Sequence, residues 1–145
     1  MAPSDPEPKA ATSISAYEAV TRGVVVRVSP NYVAEQSDPA KNRYVFAYTV
    51  DIENRGVLTV QLLTRHWIVT DGHGRAEEIK GDGVVGHQPT LRPGEGFRYT
   101  SGCPLTTPTG SMRGDFGMTV QGGETFNARI PQFSLHSPDA ARRPN

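Results

Sequence analysis

The segment from Val60 to Gly96, VQLLTRHWIVTDGHGRAEEIKGDGVVGHQPTLRPGEG, decides the fold. It begins with the most apolar strand candidate of the chain. By alternation, that strand carries apolar residues on both faces: Val60, Leu62 and Ile68 on one, and Leu63, Trp67 and Val69 on the other. A strand that is apolar on both faces is normally central in its sheet. The turn signal at residues 71–74, DGHG, and the following RAEEIK predict a hairpin partner for it.

Strand signals also lie on both sides of this segment. Residues 43–54, RYVFAYTVDIEN, place Tyr44, Phe46, Tyr48, Val50 and Ile52 on one face by a period of two. Residues 23–30, GVVVRVSP, predict an edge strand that Pro30 stops, with Tyr32-Val33 as an extension of the edge after a bulge. Residues 97–102 predict a further strand with Phe97 and Tyr99 inward, and the last two strands are predicted to join at a two-residue hairpin turn, Gly122-Gly123. About seven short strands predict an antiparallel, immunoglobulin or fibronectin type III-like β-sandwich.

Composition favours one small β-domain with little net charge. Among 145 residues, 15 glycines and 12 prolines are spread along the chain, which suits short strands and tight turns. We expect the domain at residues 23–136 and flexible tails at 1–22 and 137–145. Basic and acidic residues number 15 each, so no overall field attracts nucleic acid or an anionic membrane. Near-zero charge also makes self-association easier, which is consistent with a monomer or weak homodimer.

The termini and the cysteine content indicate a cytoplasmic protein. The first residues, MAPSDPEPKAATSIS, lack both the basic start and the apolar run of a secretory signal. No apolar run approaches the roughly 18 residues of a membrane span. The single cysteine, Cys103, excludes an internal disulfide and a cysteine-only zinc site.

Residues 81–86, GDGVVG, match the dinucleotide fingerprint Gly-x-Gly-x-x-Gly. That fingerprint requires a helix after the glycine turn, and His87-Gln88-Pro89 leaves no room for one. The favoured interpretation is a loop in which glycine permits positive φ or close backbone approach. A third interpretation is an anion-binding nest formed by Gly81, Gly83 and Gly86 for phosphate or pyrophosphate. Cations near in sequence that could support it are Arg75, Lys80, His87, Arg92 and Arg98.

No other pattern indicates catalysis or a resident metal or cofactor. The acids around the glycine segment (Asp71, Glu77, Glu78, Asp82 and Glu95) match no calcium loop and are typical of exposed hairpins. The histidines (His66, His73, His87 and His136) lack ligand spacing, and His66 on its strand suggests a partly buried side chain. No serine-histidine-acid motif occurs, and Cys103 beside Pro104 resembles a buried apolar residue more than a nucleophile.

A binding module is therefore the leading functional class, and a phosphate-handling protein is the alternative. Sheet edges and end loops are the usual recognition surfaces of β-sandwiches. Trp67, Phe116 and Phe126 would mark a partner site if they were exposed together, and core if they were buried.

The chain resembles the ApaG family in four stretches that together span most of residues 23–136. They are RYVFAYTVDIENRG at 43–56, VQLLTRHWIVTDGHGR at 60–75, GDGVVGHQPTLRPGEGFRYTSG at 81–102 and LTTPTGSMRGDF at 105–116. The resemblance implies a fibronectin type III-like sandwich. It also implies a link to cobalt resistance and magnesium efflux, and a protein-binding role like that presumed for the related domain of certain F-box proteins.

For this chain, the resemblance implies a non-enzymatic interaction domain, possessing no cofactor, that acts in divalent-cation homeostasis through an unidentified protein partner. Nucleotide or pyrophosphate binding has been suspected in the family from its shared glycine loop, which corresponds here to Gly81, Gly83 and Gly86. The alternative is accordingly a phosphate, pyrophosphate or nucleotide-binding protein, with or without hydrolase activity, that uses this loop for a small phosphate-containing ligand.

Overall fold

Two antiparallel β-sheets packed face to face form residues 17–138, the part of the chain that the computed structural model describes. This confirms the predicted sandwich. The first sheet contains, in spatial order, β1 (Tyr17–Thr21), β2 (Val24–Tyr32), β3 (Tyr44–Asn54) and β7 (Gly96–Leu105). The second contains β5 (Ala76–Asp82), β4 (Val60–Asp71), β8 (Thr109–Val120) and β9 (Thr125–His136), with the short β6 (Thr90–Leu91) also paired to β4. Two single 3-10 turns, Ala34–Gln36 and Pro39–Lys41, connect β2 to β3.

The N-terminal boundary and one edge assignment differ from the predictions. Residues 17–21, predicted to lie in the flexible tail, form β1, which turns at Arg22-Gly23 and pairs with β2. Strand β2 is therefore interior to its sheet, so the predicted edge position was wrong. At the other end, Ser137 is buried and its amide donates to the carbonyl of Pro108. The predicted tail residues 1–16 and 139–145 lie outside the described part of the chain.

Aromatic rings from both sheets form the centre of the core. Tyr48 of β3 contacts Trp67 of β4 at 5.2 Å between ring centroids and Phe133 of β9 at 5.9 Å. Trp67 packs edge-on against Phe133 and Phe116. All four side chains are buried. Trp67 and Phe116 therefore belong to the core and do not mark an exposed partner site. The predicted buried face of β3 is also confirmed.

A β-bulge at Leu63 reverses the side-chain alternation along β4. Leu62 faces Met118 and Thr64 faces the adjacent Gly117, so Leu63 is one residue more than β8 can pair. Val60, Leu62, Trp67 and Val69 are all buried as a result, although strict alternation would place the first two opposite the last two. The predicted grouping of Leu63 with Trp67 and Val69 was therefore wrong, and Ile68 lies on the outer face, where it lines a surface cleft.

A second irregularity lies between β8 and β9. Met112 faces Phe133, whereas Gly114 faces Ile130, so Arg113 alone stands opposite two residues of β9. Strict alternation would place the side chains of Ile130 and Phe133 on opposite faces of β9. Because of the shift, both lie in the core. The shift also bends the outer face of the second sheet at Arg113.

Strand β1 covers the free edge of β9 with side chains. Thr21 Oγ1 accepts the Arg129 amide at 3.0 Å, and Tyr17 Oη accepts the Ser134 amide at 3.4 Å. The hairpin that precedes this edge turns through residues 121–124, where the Val120 amide donates to the Glu124 carbonyl. One lateral side of the sandwich is closed in this way.

Over residues 17–138, none of the helices has the length and apolarity that a membrane crossing requires.

Truncating a ring of the aromatic centre should lower the free energy of unfolding strongly. Phe133 has no exposed surface, so Phe133→Ala leaves a cavity between the sheets and should cost about 3–5 kcal/mol. Urea unfolding monitored by Trp67 fluorescence measures this. Val57→Ala is the matched control, because Val57 is 89% exposed and its loss should change stability by less than about 0.5 kcal/mol. Equal effects of the two substitutions would contradict the assigned core.

Candidate functional site

The glycine segment forms a strand end followed by a tight hairpin turn. Gly81 lies within β5 opposite Arg65, and Gly83 follows the strand with φ of 64°. Val84 and His87 exchange both backbone hydrogen bonds at 2.8 Å, which closes a two-residue turn. Its central residues, Val85 and Gly86, have φ of 42° and 85°, as a type I′ turn requires. The chain then continues through Gln88 and Pro89 to β6.

Each of the three glycines has a separate reason in the fold. A Cβ on Gly81 would lie 2.6 Å from Arg65 Nη2, so the end of that flexible side chain would have to move, and a Cβ on Gly83 would clash with the His87 carbonyl oxygen. Gly86 has open space around it and needs only its positive φ. The favoured interpretation, a loop that needs glycine for φ and for close approach, agrees with this geometry.

Two of the cations near this segment in sequence lie away from its glycines. The backbone amide of Arg75 donates to Asp71 Oδ1 in the turn before β5, at the end of that strand opposite the glycines, and the Arg98 guanidinium pairs with Asp51 at 3.1 Å. The guanidinium that does reach the segment belongs to Arg65, a residue that no sequence pattern marks. Its Nη1 donates to the carbonyls of Asp82 and Gly83 at 2.8 and 2.9 Å.

The anion site at Gly81, Gly83 and Gly86 stays a prediction. Backbone carbonyls already accept the amides of Gly83, Val84 and His87. A phosphate at this turn would therefore be held by the amides of Val85 and Gly86, which lie at the exposed tip.

Val85 is strained at the tip of the turn. β-branched residues rarely adopt positive φ, and such a conformation costs about 1–3 kcal/mol. Val85→Asn should therefore raise the free energy of unfolding by about 1 kcal/mol, because asparagine is favoured at this turn position and the valine is already 52% exposed. Urea unfolding measures the change. Gly86→Ala, which places a side chain at φ of 85°, should lower stability, and a fall for both variants would contradict the turn assignment.

The other sequence candidates are dispersed over the molecule. Within residues 17–138, no group of three or more histidine, cysteine, aspartate or glutamate side chains is arranged to hold a metal ion. His87 packs against Phe97 at 5.6 Å, and His73 lies in the turn before β5. Phe126 is partly buried and lies under the Arg22 guanidinium at 5.0 Å, so it is not exposed beside Trp67 and Phe116.

Cys103 faces the core of the first sheet and is 7% exposed. Burial, reinforced by the charge of Glu77, raises the pKa of its thiol to about 11, so the reactive thiolate is scarce at neutral pH. Relative to an ordinary thiol with a pKa of 9.0, the thiolate fraction falls about a hundredfold.

The native protein should therefore react with a thiol-specific disulfide reagent at least about a hundredfold more slowly than the urea-unfolded protein. Absorbance of the released thiolate measures both rates. Rapid reaction of the native protein would contradict the burial of Cys103.

A polar cleft of about 360 Å³ lies on the outer face of the second sheet, between β4, β8 and β9. His66, Asp115 and Arg129 stand directly opposite one another across these three strands. The remaining lining residues are Ile68, Arg113, Gly114, Asn127, Ile130 and Gln132. We call this set the outer-face cleft.

The bend at Arg113 and the glycine beside it shape the outer-face cleft. A Cβ on Gly114 would lie far inside van der Waals contact with the His66 carbonyl oxygen, so only glycine lets β4 and β8 approach closely here. Gly114 therefore contributes backbone alone to the wall of the cleft, and the polar side chains of the neighbouring residues surround it.

In the outer-face cleft, the imidazole has carboxylate partners and the two arginines do not. His66 Nε2 lies 2.5 Å from Glu78 Oε2, and its Nδ1 lies 3.8 Å from Asp115 Oδ2, so the imidazole joins two carboxylates. The hydrogen bond with His66, and then the charge of Lys80, hold the pKa of Glu78 below its ordinary value. Among the described residues, the side chains of Arg113 and Arg129 have neither a salt bridge nor a hydrogen bond.

Among the residues that line this cleft, His66 alone was a site candidate from the sequence. Alternation indicates that Arg113 and Asp115 share a face of β8, but the sequence does not show which β9 residues lie beside them. The bulges set that register, and no composition signal marks them.

Comparisons with known proteins agree with the fold. A family model described as the ApaG domain matches residues 34–120. A Protein ApaG from Rhodospirillum centenum is 58% identical over 129 residues, which cover 89% of this chain and 99% of the relative. One from Caulobacter vibrioides is 53% identical over 131 residues, covering 90% and 94%.

Solved structures show the same sandwich. The crystal structure of an ApaA protein from Bordetella pertussis matches with a TM-score of 0.78 and 53% identity, covering 79% of this chain and 94% of that one. The C-terminal domain of wzt shares the fold alone, at a TM-score of 0.51 and 9% identity over 83% of this chain and 76% of that domain.

Proposed function

This chain belongs to the ApaG domain family, and on that premise we propose that it is a non-enzymatic binding module. Its partner is a protein that places an acidic segment in the outer-face cleft. The single observation that carries this proposal is the pair of guanidinium groups, Arg113 and Arg129, that line one concave surface and form no salt bridge among residues 17–138.

Guanidinium groups suit this task because their planar N–H donors match the geometry of carboxylate oxygens. Around them, the side-chain amides of Asn127 and Gln132 add neutral donors and acceptors for the peptide groups of an extended segment. The cleft lies on the outer face of the second sheet, where a side chain presented by another protein can enter it.

Charge balance favours a carboxylate over a phosphate. Apart from His66, the lining carries two guanidinium groups and the carboxylate of Asp115, which leaves one positive charge. A singly charged carboxylate neutralises it, whereas a doubly charged phosphate would leave excess negative charge beside Asp115. The same argument supports an acidic peptide over pyrophosphate as the ligand of this cleft.

The proposal also agrees with the state of the groups that could serve catalysis. His66 is engaged by a carboxylate at each ring nitrogen, and Cys103 is buried with a raised pKa. The part in divalent-cation homeostasis that the family resemblance implies would then be exerted through the bound partner.

Binding of a fluorescein-labelled oligoglutamate peptide, measured by anisotropy, tests the proposal. We expect it to bind at low ionic strength, to weaken as salt is added, and to exceed an oligoglutamine peptide of equal length. Arg113→Ala and Arg129→Ala should each weaken binding about tenfold, since each removes a charge-assisted contact.

Lys41→Ala is the control, because it removes one exposed positive charge from the 3-10 turn before β3, outside the cleft. If this control weakens binding as much as the arginine substitutions, or if oligoglutamine binds equally well, the cleft is not the site. Displacement of the peptide by an equal concentration of pyrophosphate would favour the phosphate alternative instead.

A further inference from the structure

Strand β5 presents a free sheet edge. Among residues 17–138 it pairs with β4 on one side alone, and every residue of it except Gly81 is exposed. The Asp71 amide donates to the Arg75 carbonyl at 2.9 Å, and the Gly83 amide donates to the Leu63 carbonyl at 2.8 Å. Because hydrogen-bonded pairs alternate along an antiparallel ladder, these two bonds fix the direction of every backbone group between them.

The outward-facing backbone groups belong to the even-numbered residues of β5. The N–H and C=O groups of Glu77, Ile79 and Gly81 point toward β4. Those of Ala76, Glu78, Lys80 and Asp82 point away from it. Arg65 Nη1 accounts for the outward carbonyl of Asp82. The edge open to a new strand therefore extends from Ala76 to Lys80, with the Asp82 amide at its end.

From this edge we infer that a second copy of the chain pairs with β5 in antiparallel orientation, about a two-fold axis at Ile79. Glu78 of one copy then exchanges backbone hydrogen bonds with Lys80 of the other. The relation is reciprocal, so each interface contains this pair twice. The inference concerns a different surface from the acidic-segment proposal and does not depend on it.

Charge selects this register over its neighbours. Shifting the axis to Glu78 or to Lys80 would place two like charges directly opposite each other, and an axis at Glu77 would do the same. With the axis at Ile79, glutamate faces lysine on the outer face of the sheet. Within residues 17–138, His66 and Lys80 contact Oε2 of Glu78, which leaves its Oε1 for the lysine of the second copy.

The inner face of β5 is complementary in the same register. Ile79, which is 39% exposed, would face Ile79 of the second copy across a closely spaced pair. Glu77 would face Gly81 of the second copy. Gly81 has no side chain, and the Arg65 guanidinium occupies that space, so Glu77 would meet an arginine.

One strand pair buries less surface than the 1,200–2,000 Å² of standard stable interfaces, so we expect a weak, reversible dimer. The balanced formal charge of the chain, 15 basic against 15 acidic residues, removes long-range repulsion between the copies.

Charge reversal on β5 tests the register through the dimerisation constant, measured by sedimentation equilibrium. Lys80→Glu places glutamate opposite glutamate, and Glu78→Lys places lysine opposite lysine, so each variant alone should self-associate at least about tenfold more weakly. An equimolar mixture of the two should associate again, because each lysine of one variant then faces a glutamate of the other. Lys41→Glu, with the same charge change elsewhere, should dimerise as the unmodified protein does.

A disulfide provides an independent test. Ile79→Cys should form an intermolecular disulfide under mild oxidation, because the two Cα atoms would be about 4.5 Å apart. Lys80→Cys is the control: it would face Glu78 of the second copy and should crosslink at least about tenfold more slowly. A monomer at millimolar concentration, mixed variants that stay monomeric, or equal crosslinking at both positions would each overturn the inference.

Discussion

Contact between Tyr48 and Trp67 fixes the distance between the two sheets, and the rest of the structure depends on it. Their ring centroids lie 5.2 Å apart, and Phe116 and Phe133 complete a buried set of rings that joins β3, β4, β8 and β9. For these rings to meet, β4 and β9 must each change the parity of their buried residues along their length. The bulge at Leu63 and the shift opposite Arg113 accomplish this, and the second of them also shapes the outer-face cleft. Core packing and surface shape therefore have a common cause.

Much of the fold was predictable from local pattern. The period of two in residues 44–52 gave the buried face of β3, and the turn signal at 71–74 gave the β4–β5 hairpin. The bulge at Leu63 was not predictable, because one additional residue leaves no mark in composition while it reverses every side chain that follows. The edge position of β2 was wrong because β1, with only five residues, lacked a strong apolar signal.

The candidate site was less predictable for a related reason. The fingerprint in residues 81–86 is a local pattern, and the structure gives each of its glycines a local explanation in packing or φ. Arg113, Asp115 and Arg129 become neighbours only through strand register, which is a long-range property. Arg65 depends on both strand register and local pattern. Register places it opposite Gly81, its side chain fills the space that the glycine leaves, and its guanidinium binds the carbonyls of the next two residues.

The side chains of Thr21 and Tyr17 accept hydrogen bonds from amides of β9 and so prevent a further strand from pairing at this edge of the second sheet. With that border occupied, the sheet can be extended only at β5, and a two-fold pairing would use β5 in both copies. Assembly through the second sheet would then stop at a pair, because its β9 edge is covered and its β5 edge is used. Two hydroxyl groups on the shortest strand of the first sheet would thus keep the second sheet from extending beyond a dimer.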